Sequence, residues 1–479
     1  MNLTQLISKV EVVKVVGDIN IEIEKVIFSS KEKCKNALFV CLVGTNTDGH
    51  DFVLEALSNG AVAIVCQKEL DIDIPQIIVR NTRRTLAVLS ANFWGNPAEK
   101  LKLIGVTGTN GKTSTTMIIR QICLENNCGV GVIGTLGYHI NKQSFDCDLT
   151  TPDPFKLHEI FKQMMNAGVK VVAMEVSAHA IALEKIYGLK FEIGILTNIT
   201  QDHLDFFKTM EKYASTKIDF LKSNQIKTLV LNSDDSYFSQ FKENYFISYG
   251  ISNPAECFAM EIALNLKGSS FIANILDNVM KIKTKLCGYF NIYNILAAAT
   301  AALLLGFSTK SVEKALRKIG RVDGRFNIIE TSKGNVVIDF AHTPDGLENI
   351  LKNIKQLSMN EKIITVFGCG GNRDALKRPI MGKIADRYSD VIILTSDNPR
   401  FENPDLISDD ILQGIENKDK CLRENDRKKA IKKAIEMLNG NEVVVVCGKG
   451  GEKYQDINGV LSPYDDIKVV KNIVKVLNL

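Results

Sequence analysis

The segment 103–116 contains residue types that can hold the phosphates of a nucleotide. A short apolar run, Leu103–Val106, leads into a turn with two glycines, and Lys112 and Thr113 follow it. Glycines let backbone N–H groups close on an anion, a lysine can reach the β- and γ-phosphates, and a threonine hydroxyl suits Mg²⁺. The turn is tighter than the general G-x-x-x-x-G-K-[ST] pattern, because Val106 stands five residues before Gly111. The segment predicts an ATP site, and the alternative is an incidental glycine-rich turn.

Two further segments carry polar residues directly after apolar runs. Glu175 and Ser177 follow one such run, and His203 follows the next. Open α/β sheets bind ligands at the carboxyl ends of their strands, so Glu175 and His203 are expected near the cation predicted at Thr113. Mg²⁺ on ATP takes mostly oxygen ligands and water, which makes the histidine unusual but chemically acceptable. Taken singly, Glu175 could be a helix N-terminal charge and His203 a capped surface residue.

The last third of the chain presents charged residues on loops that follow strands. Arg373 lies in a glycine-rich turn, Arg400 ends the segment 396–400 (SDNPR), and Glu452 follows Gly448 in the segment 447–453. A guanidinium binds a carboxylate through two hydrogen bonds, and a carboxylate can hold an ammonium. These loops therefore predict an amino acid as ligand. The alternative is that Pro, Asn and Gly merely shape surface turns.

The elements that must position these residues alternate between apolar strands and helical segments, which predicts an α/β protein of three domains. The expected domains are a small α/β domain at 1–95, a nucleotide-binding domain with a mainly parallel sheet at 96–330, and a Rossmann-like domain at 331–479. The last lacks a dinucleotide fingerprint, so its fold does not imply NAD. The predicted strands are Val10–Val16, Leu38–Val43, Val62–Cys66, Ile77–Val79, Leu103–Val106, Val169–Met174, Gly194–Thr197, Thr228–Leu231, Val336–Phe340, Ile363–Phe367, Val391–Thr395 and Glu442–Cys447. A buried helix is predicted over Gly288–Leu305, entered through Asn291 and Asn294.

Composition limits the class of protein. The net charge of +4 is spread over 479 residues without a Lys/Arg block, so neither nucleic acid nor a membrane is expected as a partner. The eleven cysteines form no C-x-x-C pair, and residues 1–10 lack the pattern of a signal peptide. The sequence therefore predicts a cytoplasmic protein whose thiols mostly pack in cores. A monomer is expected.

Taken together and in order, these motifs resemble the Mur ligases, the ATP-dependent amide-forming enzymes of peptidoglycan precursor synthesis. The resemblance runs from Phe28 to at least Asp456. It rests on the segments GTNGKTS, MEVSAHA, TNITQDHLDF, GYFNIYNILAA, DGRF, DFAHTPDGLE, VFGCGGNRD and SDNPR. Within the family, the DNPR loop is similar to that of members that add meso-2,6-diaminopimelate to UDP-N-acetylmuramoyl-L-alanyl-D-glutamate. Addition of L-lysine or another diamino acid, and a ligase similar to folylpolyglutamate synthase, remain alternatives. A non-enzymatic ATP-binding regulator is the rival from another class.

The resemblance implies roles for individual residues. The groups expected to bind ligands are Phe28, Ser30, Thr45, Asn46 and Thr47 for UDP; Thr150, Thr151, Ser177 and Lys185 for the muramoyl-peptide; Gly108, Thr109, Asn110, Gly111, Lys112, Thr113, Ser114, Asn291 and Arg325 for ATP; and Arg373, Asp397, Asn398, Pro399, Arg400, Gly448 and Glu452 for diaminopimelate. Lys112, Glu175, His203 and Lys217 are the expected catalytic residues.

The resemblance also changes the interpretation of Lys217. From its surroundings in the sequence, Lys217 is a solvated charge on an amphipathic helix. It aligns, however, with the family lysine that CO₂ converts to a carbamate, an anionic Mg²⁺ ligand. The implied metal ligands are therefore Thr113, Glu175, His203 and the Lys217 carbamate. This chain departs from the common family pattern at Leu149, Leu183, Lys185, Asn372, Asp323 and Gly451, which bear on substrate contacts and not on the ATP or metal residues.

Overall fold

A computed structural model describes residues 1–44, 47–241, 244–357 and 361–479. The chain forms two compact units. The first comprises Met1–Thr107, Asn127–Ile195 and Thr216–Leu229, and the second comprises Gly108–Asn126, Leu196–Ser215 and Val230–Leu479. None of the helices in the described ranges is long and apolar enough to cross a membrane.

The N-terminal part of the first unit is a small α/β fold with one five-stranded sheet, and the prediction of an α/β fold there is confirmed. Its sheet has the order β1-β5-β4-β3-β2, with β1 antiparallel to β5 and the other neighbours parallel. Asn81 starts the third helix by accepting hydrogen bonds from the amides of Arg83 and Arg84, which satisfies donors at the helix end. The elements are α1 (Leu3–Leu6), β1 (Val12–Val16), β2 (Lys25–Ile27), β3 (Ala37–Val40), α2 (Val53–Ser58), β4 (Ala61–Cys66), β5 (Gln76–Val79) and α3 (Thr82–Phe93).

The middle part of the chain, which contributes to both units, begins with parallel strands. Within the first unit, β10 pairs in parallel with β6 and with β7, and these strands are almost continuously apolar because both faces are covered. The elements are β6 (Lys102–Thr107), α4 (Lys112–Glu125), β7 (Val130–Gly134), β8 (Gly137–Ile140), β9 (Gln143–Phe145), α5 (Pro154–Asn166), β10 (Val171–Glu175), α6 (Ala178–Ala182), β11 (Phe191–Leu196), α7 (Leu204–Phe207), α8 (Met210–Lys222), β12 (Ile226–Asn232), β13 (Phe246–Gly250), β14 (Cys257–Asn265), β15 (Gly268–Ile275), β16 (Asn278–Thr284), α9 (Tyr289–Leu304) and α10 (Thr309–Lys318).

Strands β14, β15 and β16 are an antiparallel meander that the sequence analysis did not predict. Its alternating exposed and buried residues give only a weak apolar signal, and the turn between β15 and β16 uses Leu276 and Asp277 at positive φ in place of glycine. Helix α9 confirms the predicted buried helix to within one residue at each end.

The C-terminal part has the predicted Rossmann-like architecture. Its sheet has the order β17-β18-β22-β19-β20-β21, parallel except for β17, and a separate apolar core covers each face. All loops that were predicted to bind the amino acid leave carboxyl ends of its strands. The elements are β17 (Asn327–Thr331), β18 (Gly334–Asp339), α11 (Pro344–Leu357), β19 (Lys362–Phe367), α12 (Lys377–Tyr388), β20 (Val391–Leu394), α13 (Pro404–Leu412), β21 (Cys421–Arg423), α14 (Arg427–Glu436), β22 (Glu442–Cys447), β23 (Tyr454–Ile457), β24 (Val460–Pro463) and α15 (Asp466–Val476).

Candidate active site

The predicted phosphate loop connects β6 to α4. Gly108 and Gly111 have φ values of +143° and +89°, a region that favours glycine. A Cβ atom on Gly108 would lie 1.9 Å from Thr197 Oγ1, so a side chain cannot be accommodated there without displacing Thr197. The Thr197 hydroxyl donates to the Asn110 carbonyl at 2.6 Å, and the Asn110 amide donates to Asn198 Oδ1 at 2.9 Å. The segment after β11 therefore supports the phosphate loop.

Lys112 and Thr113 stand at the first turn of α4. The Lys112 ammonium donates to the carbonyls of Gly108 and Thr109 at 2.9 and 2.8 Å, so it lies over the loop that would hold the phosphates. The buried Thr113 hydroxyl accepts a hydrogen bond of 2.9 Å from Arg325 Nη2. Arg325, which the resemblance placed near the nucleotide, is thus connected directly to the phosphate loop.

A cavity of about 460 Å³ lies beside this loop, within the size range of small-molecule sites. Its wall combines aromatic rings with amides and carboxylates, groups that can stack on a planar ring and form hydrogen bonds with hydroxyl groups. The lining residues include Asn110, Gly111, Ser114, Asn198, Tyr289, Phe290, Tyr293, Asn294, Arg325, Phe340, Asp345 and Asn349. The guanidinium of Arg325 stacks 4.2 Å above the Phe340 ring, and Asn110 donates to Asp345 at 2.7 Å.

Asn291 lies behind the wall of this cavity. Its amide donates to the Cys287 carbonyl at 2.8 Å, while its Oδ1 accepts from Asn294 at 3.2 Å. Asn294 is the neighbour that lines the cavity. Asn291 was predicted to lie near the nucleotide, whereas Tyr289 and Tyr293 were not. The spacing of four residues between these tyrosines at the start of α9 places them on one helix face.

His203 belongs to a compact group of charged and titratable residues in the second unit. The buried Asp202 lies 3.3 Å from His203 Nε2 and 3.9 Å from His342 Nε2. Burial raises the pKa of Asp202, but His203, His342, Lys377 and Lys112 outweigh it and lower the pKa to about 2. His342 is further fixed through its Nδ1, 2.9 Å from the Phe340 carbonyl. Neither Asp202 nor His342 was predicted as a site residue, since they are separated by 140 positions and no local pattern links them.

Glu175 ends β10, as predicted, and is buried in the first unit. Its carboxylate accepts from the Thr135 amide at 2.9 Å and the Thr135 hydroxyl at 3.1 Å. Thr151 donates to the Glu175 carbonyl at 2.9 Å and contacts the Ser177 hydroxyl at 3.2 Å, and Thr150 lies 3.2 Å from Thr135. The structure therefore brings Thr150, Thr151 and Ser177 together around the end of this strand. Lys185 pairs with Asp153 at 2.8 Å in the same unit.

Lys217 is buried in α8, with 1% of its surface exposed. The prediction of a solvated charge from local sequence is therefore wrong, because the amphipathic face that carries Lys217 points into the protein. Lys217 and Glu175 belong to the first unit, and Thr113 and His203 to the second. In the described part of the chain, no three His, Cys, Asp or Glu side chains cluster closely enough to hold a metal ion without help. Hydroxyl and carboxylate oxygens such as those of Thr113 and Glu175 are of the type that Mg²⁺ binds, whereas an unmodified Lys217 ammonium is not.

The residues predicted to bind UDP lie in the N-terminal sheet region. Phe28 follows β2 and packs against the core, and Ser30 donates to Glu55 at 2.5 Å. The Thr47 carbonyl accepts from the Gly44 amide at 2.8 Å. Thr45 and Asn46 lie outside the described residues.

The two arginines predicted to bind a carboxylate flank one glycine. A Cβ atom on Gly370 would lie 3.0 Å from Arg400 Nη1 and 3.8 Å from Arg373 Cγ. Arg400 adopts a φ of +52° and donates from Nη1 to the Gly371 carbonyl at 2.7 Å, and its Nε lies 3.7 Å from Asp456. Arg373 Nη1 lies 3.8 Å from Asp205 Oδ2, and the Arg373 side chain is half exposed. The turn after β19 and the segment after β20 thus bring two guanidinium groups to the same edge of the sheet.

Asp397 and Gly448 meet on the same edge. A Cβ atom on Gly448 would lie 2.4 Å from Asp397 Oδ2, so the absence of a side chain at Gly448 makes room for this carboxylate. Asp397 is 8% exposed, and its Oδ2 has no hydrogen-bond partner among the described residues. Buried carboxylate oxygens are normally hydrogen-bonded, so a donor from a ligand would satisfy this one. Asn398 Nδ2 donates to Glu452 Oε2 at 3.0 Å, and Pro399 follows Asn398 in the chain.

The chain is similar to known proteins over nearly its whole length. Models of the Mur ligase family match three stretches: the Mur ligase family catalytic domain at 22–94, the Mur ligase middle domain at 106–302, and the Mur ligase glutamate ligase domain at 324–450. Two relatives named UDP-N-acetylmuramoyl-L-alanyl-D-glutamate–2,6-diaminopimelate ligase are similar over nearly the whole length. The protein from Aquifex aeolicus is 41% identical over 94% of both chains, and that from Clostridium tetani is 40% identical over 100% of both.

A solved structure carries the same name. It is 28% identical, covers 100% of this chain and 99% of its own, and superposes with a TM-score of 0.70. Since the family models cover more than half of the chain and relatives above 30% identity span it almost completely, the chain belongs to the Mur ligase family.

Proposed function

We propose that this protein is the ATP-dependent ligase that adds meso-2,6-diaminopimelate to UDP-N-acetylmuramoyl-L-alanyl-D-glutamate in peptidoglycan precursor synthesis. Relatives of that name cover the full chain at about 40% identity. The observation that carries the proposal in this structure is the pair Arg373 and Arg400 around Gly370, beside the buried Asp397. The two guanidinium groups can bind the carboxylates of an amino acid, and the neighbouring carboxylate can bind its ammonium.

ATP is proposed to bind with its phosphates on residues 108–114 and its base in the aromatic cavity beside them. Backbone N–H groups at the start of α4 and the Lys112 ammonium face the place where the phosphates would lie. Arg325 bridges Thr113 and the Phe340 ring, so it links the phosphate loop to the cavity wall. Magnesium bound to ATP would supply charge screening between triphosphate and carboxylate. The proposed magnesium-binding groups are Thr113 and His203 in the second unit, and Glu175 and a carbamate on Lys217 in the first unit.

The reaction proceeds in two steps. An oxygen of the D-glutamate γ-carboxylate attacks the γ-phosphorus of ATP. The bond between this phosphorus and the β,γ-bridging oxygen breaks, which gives an acyl phosphate and ADP. The diaminopimelate amine then attacks the acyl carbon, the bond to phosphate breaks, and the amine loses a proton. Both reactants of the first step are anionic, so positioned cations such as Lys112 contribute mainly by electrostatic stabilisation.

Three further assignments belong to this proposal. The domain boundaries are placed near residues 95 and 330. The first boundary follows directly on the family domain matched at 22–94, and the second lies six residues inside the domain matched at 324–450. Residues Phe28, Ser30 and Thr45–Thr47 bind the UDP group, and Thr150, Thr151, Ser177 and Lys185 bind the muramoyl-peptide. The enzyme works in the cytoplasm, where its ATP is supplied.

The test is phosphate release from ATP in the presence of UDP-N-acetylmuramoyl-dipeptide and a panel of amino acids. We expect phosphate release that depends on both the dipeptide nucleotide and meso-diaminopimelate, with a product heavier than the nucleotide by one diaminopimelate minus one water. Phosphate release that needs glutamate and a folate in place of these substrates would favour the folylpolyglutamate alternative. ATP binding without any turnover would favour a regulator.

Replacing Arg400 by alanine is expected to raise the KM for meso-diaminopimelate far more than the KM for ATP. Diaminopimelate has a second carboxylate that lysine lacks, and losing a charge-assisted contact to it costs roughly 2–5 kcal/mol. Selectivity for diaminopimelate over lysine should therefore fall at least about tenfold. Steady-state kinetics with each amino acid measure both quantities.

Arg387→Ala is the matched control, because Arg387 is an exposed arginine on α12 whose Nη1 is 3.7 Å from Glu348. It should leave both KM values unchanged. Unchanged selectivity for diaminopimelate over lysine in Arg400→Ala would show that Arg400 does not bind the amino acid.

A further inference from the structure

Lys449 is a buried lysine to which the sequence analysis assigned no role. It follows β22 in the glycine-rich segment 447–453, and its side chain is 0% exposed. A lysine is almost never completely buried unless its charge is paired. Its contacts are therefore informative about what the surrounding loops must hold in place.

The Lys449 ammonium joins two residues that belong to the proposed diaminopimelate site. It donates to Asn398 Oδ1 and to Glu452 Oε2, both at 2.8 Å, and it lies 5.5 Å from the centre of the Tyr454 ring. The Asp456 amide also donates to Asn398 Oδ1, at 3.0 Å. Two donors on one side fix the orientation of the Asn398 amide, so its NH₂ group points to Glu452 Oε2 at 3.0 Å.

This arrangement changes what Glu452 offers to a ligand. Its Oε2 already accepts from Lys449 and Asn398, whereas its Oε1 accepts no hydrogen bond from the parts of the chain that the structure describes. The carboxylate charge is balanced by a cation that solvent cannot reach. Glu452 can therefore orient an ammonium through Oε1 without presenting an unbalanced negative charge.

The balance matters because the two candidate amino acids differ in charge at their far end. Diaminopimelate ends in an ammonium together with a carboxylate, which sum to zero, whereas lysine ends in an ammonium alone. An unbalanced carboxylate at Glu452 would attract the lysine end and repel the second carboxylate of diaminopimelate. A Glu452 carboxylate neutralised by Lys449 loses that preference for lysine.

We propose that Lys449 is a positioning residue that sets amino-acid selectivity, by fixing Asn398 and by neutralising Glu452 from the protein side. This role rests on the proposed function, since it requires Asn398 and Glu452 to contact the amino acid. Lys449 itself is enclosed by protein and reaches the ligand only through these two side chains.

The test compares kcat/KM for meso-diaminopimelate and for L-lysine in the full-length enzyme, with ATP and the dipeptide nucleotide saturating. Lys449→Met is expected to lower the diaminopimelate-to-lysine ratio by about tenfold or more, while the KM for ATP stays within about twofold. Lys453→Met is the control, because Lys453 lies in the same segment but is exposed and pairs with Asp465. It should leave the ratio unchanged.

A second variant separates selectivity from folding. In Lys449→Met/Glu452→Gln the cation and the anion are removed together, so the ratio should return towards the wild-type value even if both rates stay low. An equal loss for both amino acids in Lys449→Met, or a shifted ratio that persists in the double variant, would overturn the proposal.

If Lys449→Met does not fold, Lys449→Arg and the double variant carry the test, because each keeps the local charge balanced. Both should hold the ratio within about threefold of the wild type, and a tenfold change in either would contradict the proposal. The wild-type enzyme tests the proposed function separately. A wild type that uses neither amino acid overturns both proposals, whereas normal diaminopimelate turnover with an unaltered ratio in Lys449→Met overturns only the role of Lys449.

Discussion

Lys112→Ala is expected to abolish ligation while the protein remains folded. The triphosphate would lose its nearest cation in the loop at residues 108–114, and removing a cation that stabilises a transferring phosphoryl group typically costs on the order of 10³-fold or more in rate. Folding should survive, because alanine is a good residue at the start of α4. The measurement is the rate of ATP-dependent product formation, with circular dichroism to check the fold.

The matched control for Lys112 is Lys102→Ala, which removes an exposed lysine at the start of β6. It should leave the rate within about twofold, as is usual for exposed surface charges. Near-normal turnover of Lys112→Ala with unchanged ATP affinity would show that the loop at residues 108–114 does not hold the phosphates.

Lys217→Ala is expected to lower activity by orders of magnitude. In carbamylation the neutral Lys217 amine attacks the carbon of CO₂ and loses one proton, so a basic side chain becomes an anion suited to a divalent cation. The burial of Lys217 in α8 is consistent with a structural or catalytic role and not with a surface charge. A small carboxylate such as acetate, added at millimolar concentration, should restore part of the activity by taking the place of the carbamate.

The carbamate can also be detected without an activity measurement. Carbon-13 NMR of the wild type in ¹³CO₂-containing buffer should show a carbamate signal that is absent from Lys217→Ala. Lys212→Ala provides the control, because Lys212 is an exposed lysine on the same helix. Wild-type activity of Lys217→Ala in CO₂-free buffer would contradict the proposed role.

The sequence predicted the parallel parts of the fold well because their strands are apolar on both faces. Strands β6, β10, β19 and β22 all coincide with predicted apolar runs to within two residues at each end. The rule that ligands bind at the carboxyl ends of such strands placed Glu175 and the DNPR segment correctly at strand ends. The meander of β14–β16 was not predicted because its strands expose one face. Apolar residues therefore alternate with polar ones along each strand and form no continuous apolar run.

Residues that act through tertiary contacts could not be found in the same way. Asp202 Oδ2 and His342 Nε2 lie 3.9 Å apart, and no local sequence pattern links the two residues. The burial of Lys217 and of Lys449 depends on how their elements pack, and a lysine in either sequence context is usually exposed. Asn291 and Asn294 illustrate the limit within one helix: both are buried polar residues, but only Asn294 faces the cavity.

The central claim is that this enzyme joins meso-diaminopimelate to the dipeptide nucleotide. The most direct measurement gives the wild-type protein ATP, UDP-N-acetylmuramoyl-L-alanyl-D-glutamate, and meso-diaminopimelate and L-lysine at equal concentrations, and identifies the products by mass spectrometry. With Arg373, Arg400 and the Lys449–Glu452 pair as described, the diaminopimelate product should dominate by at least about tenfold. A predominance of the lysine product would contradict the claim.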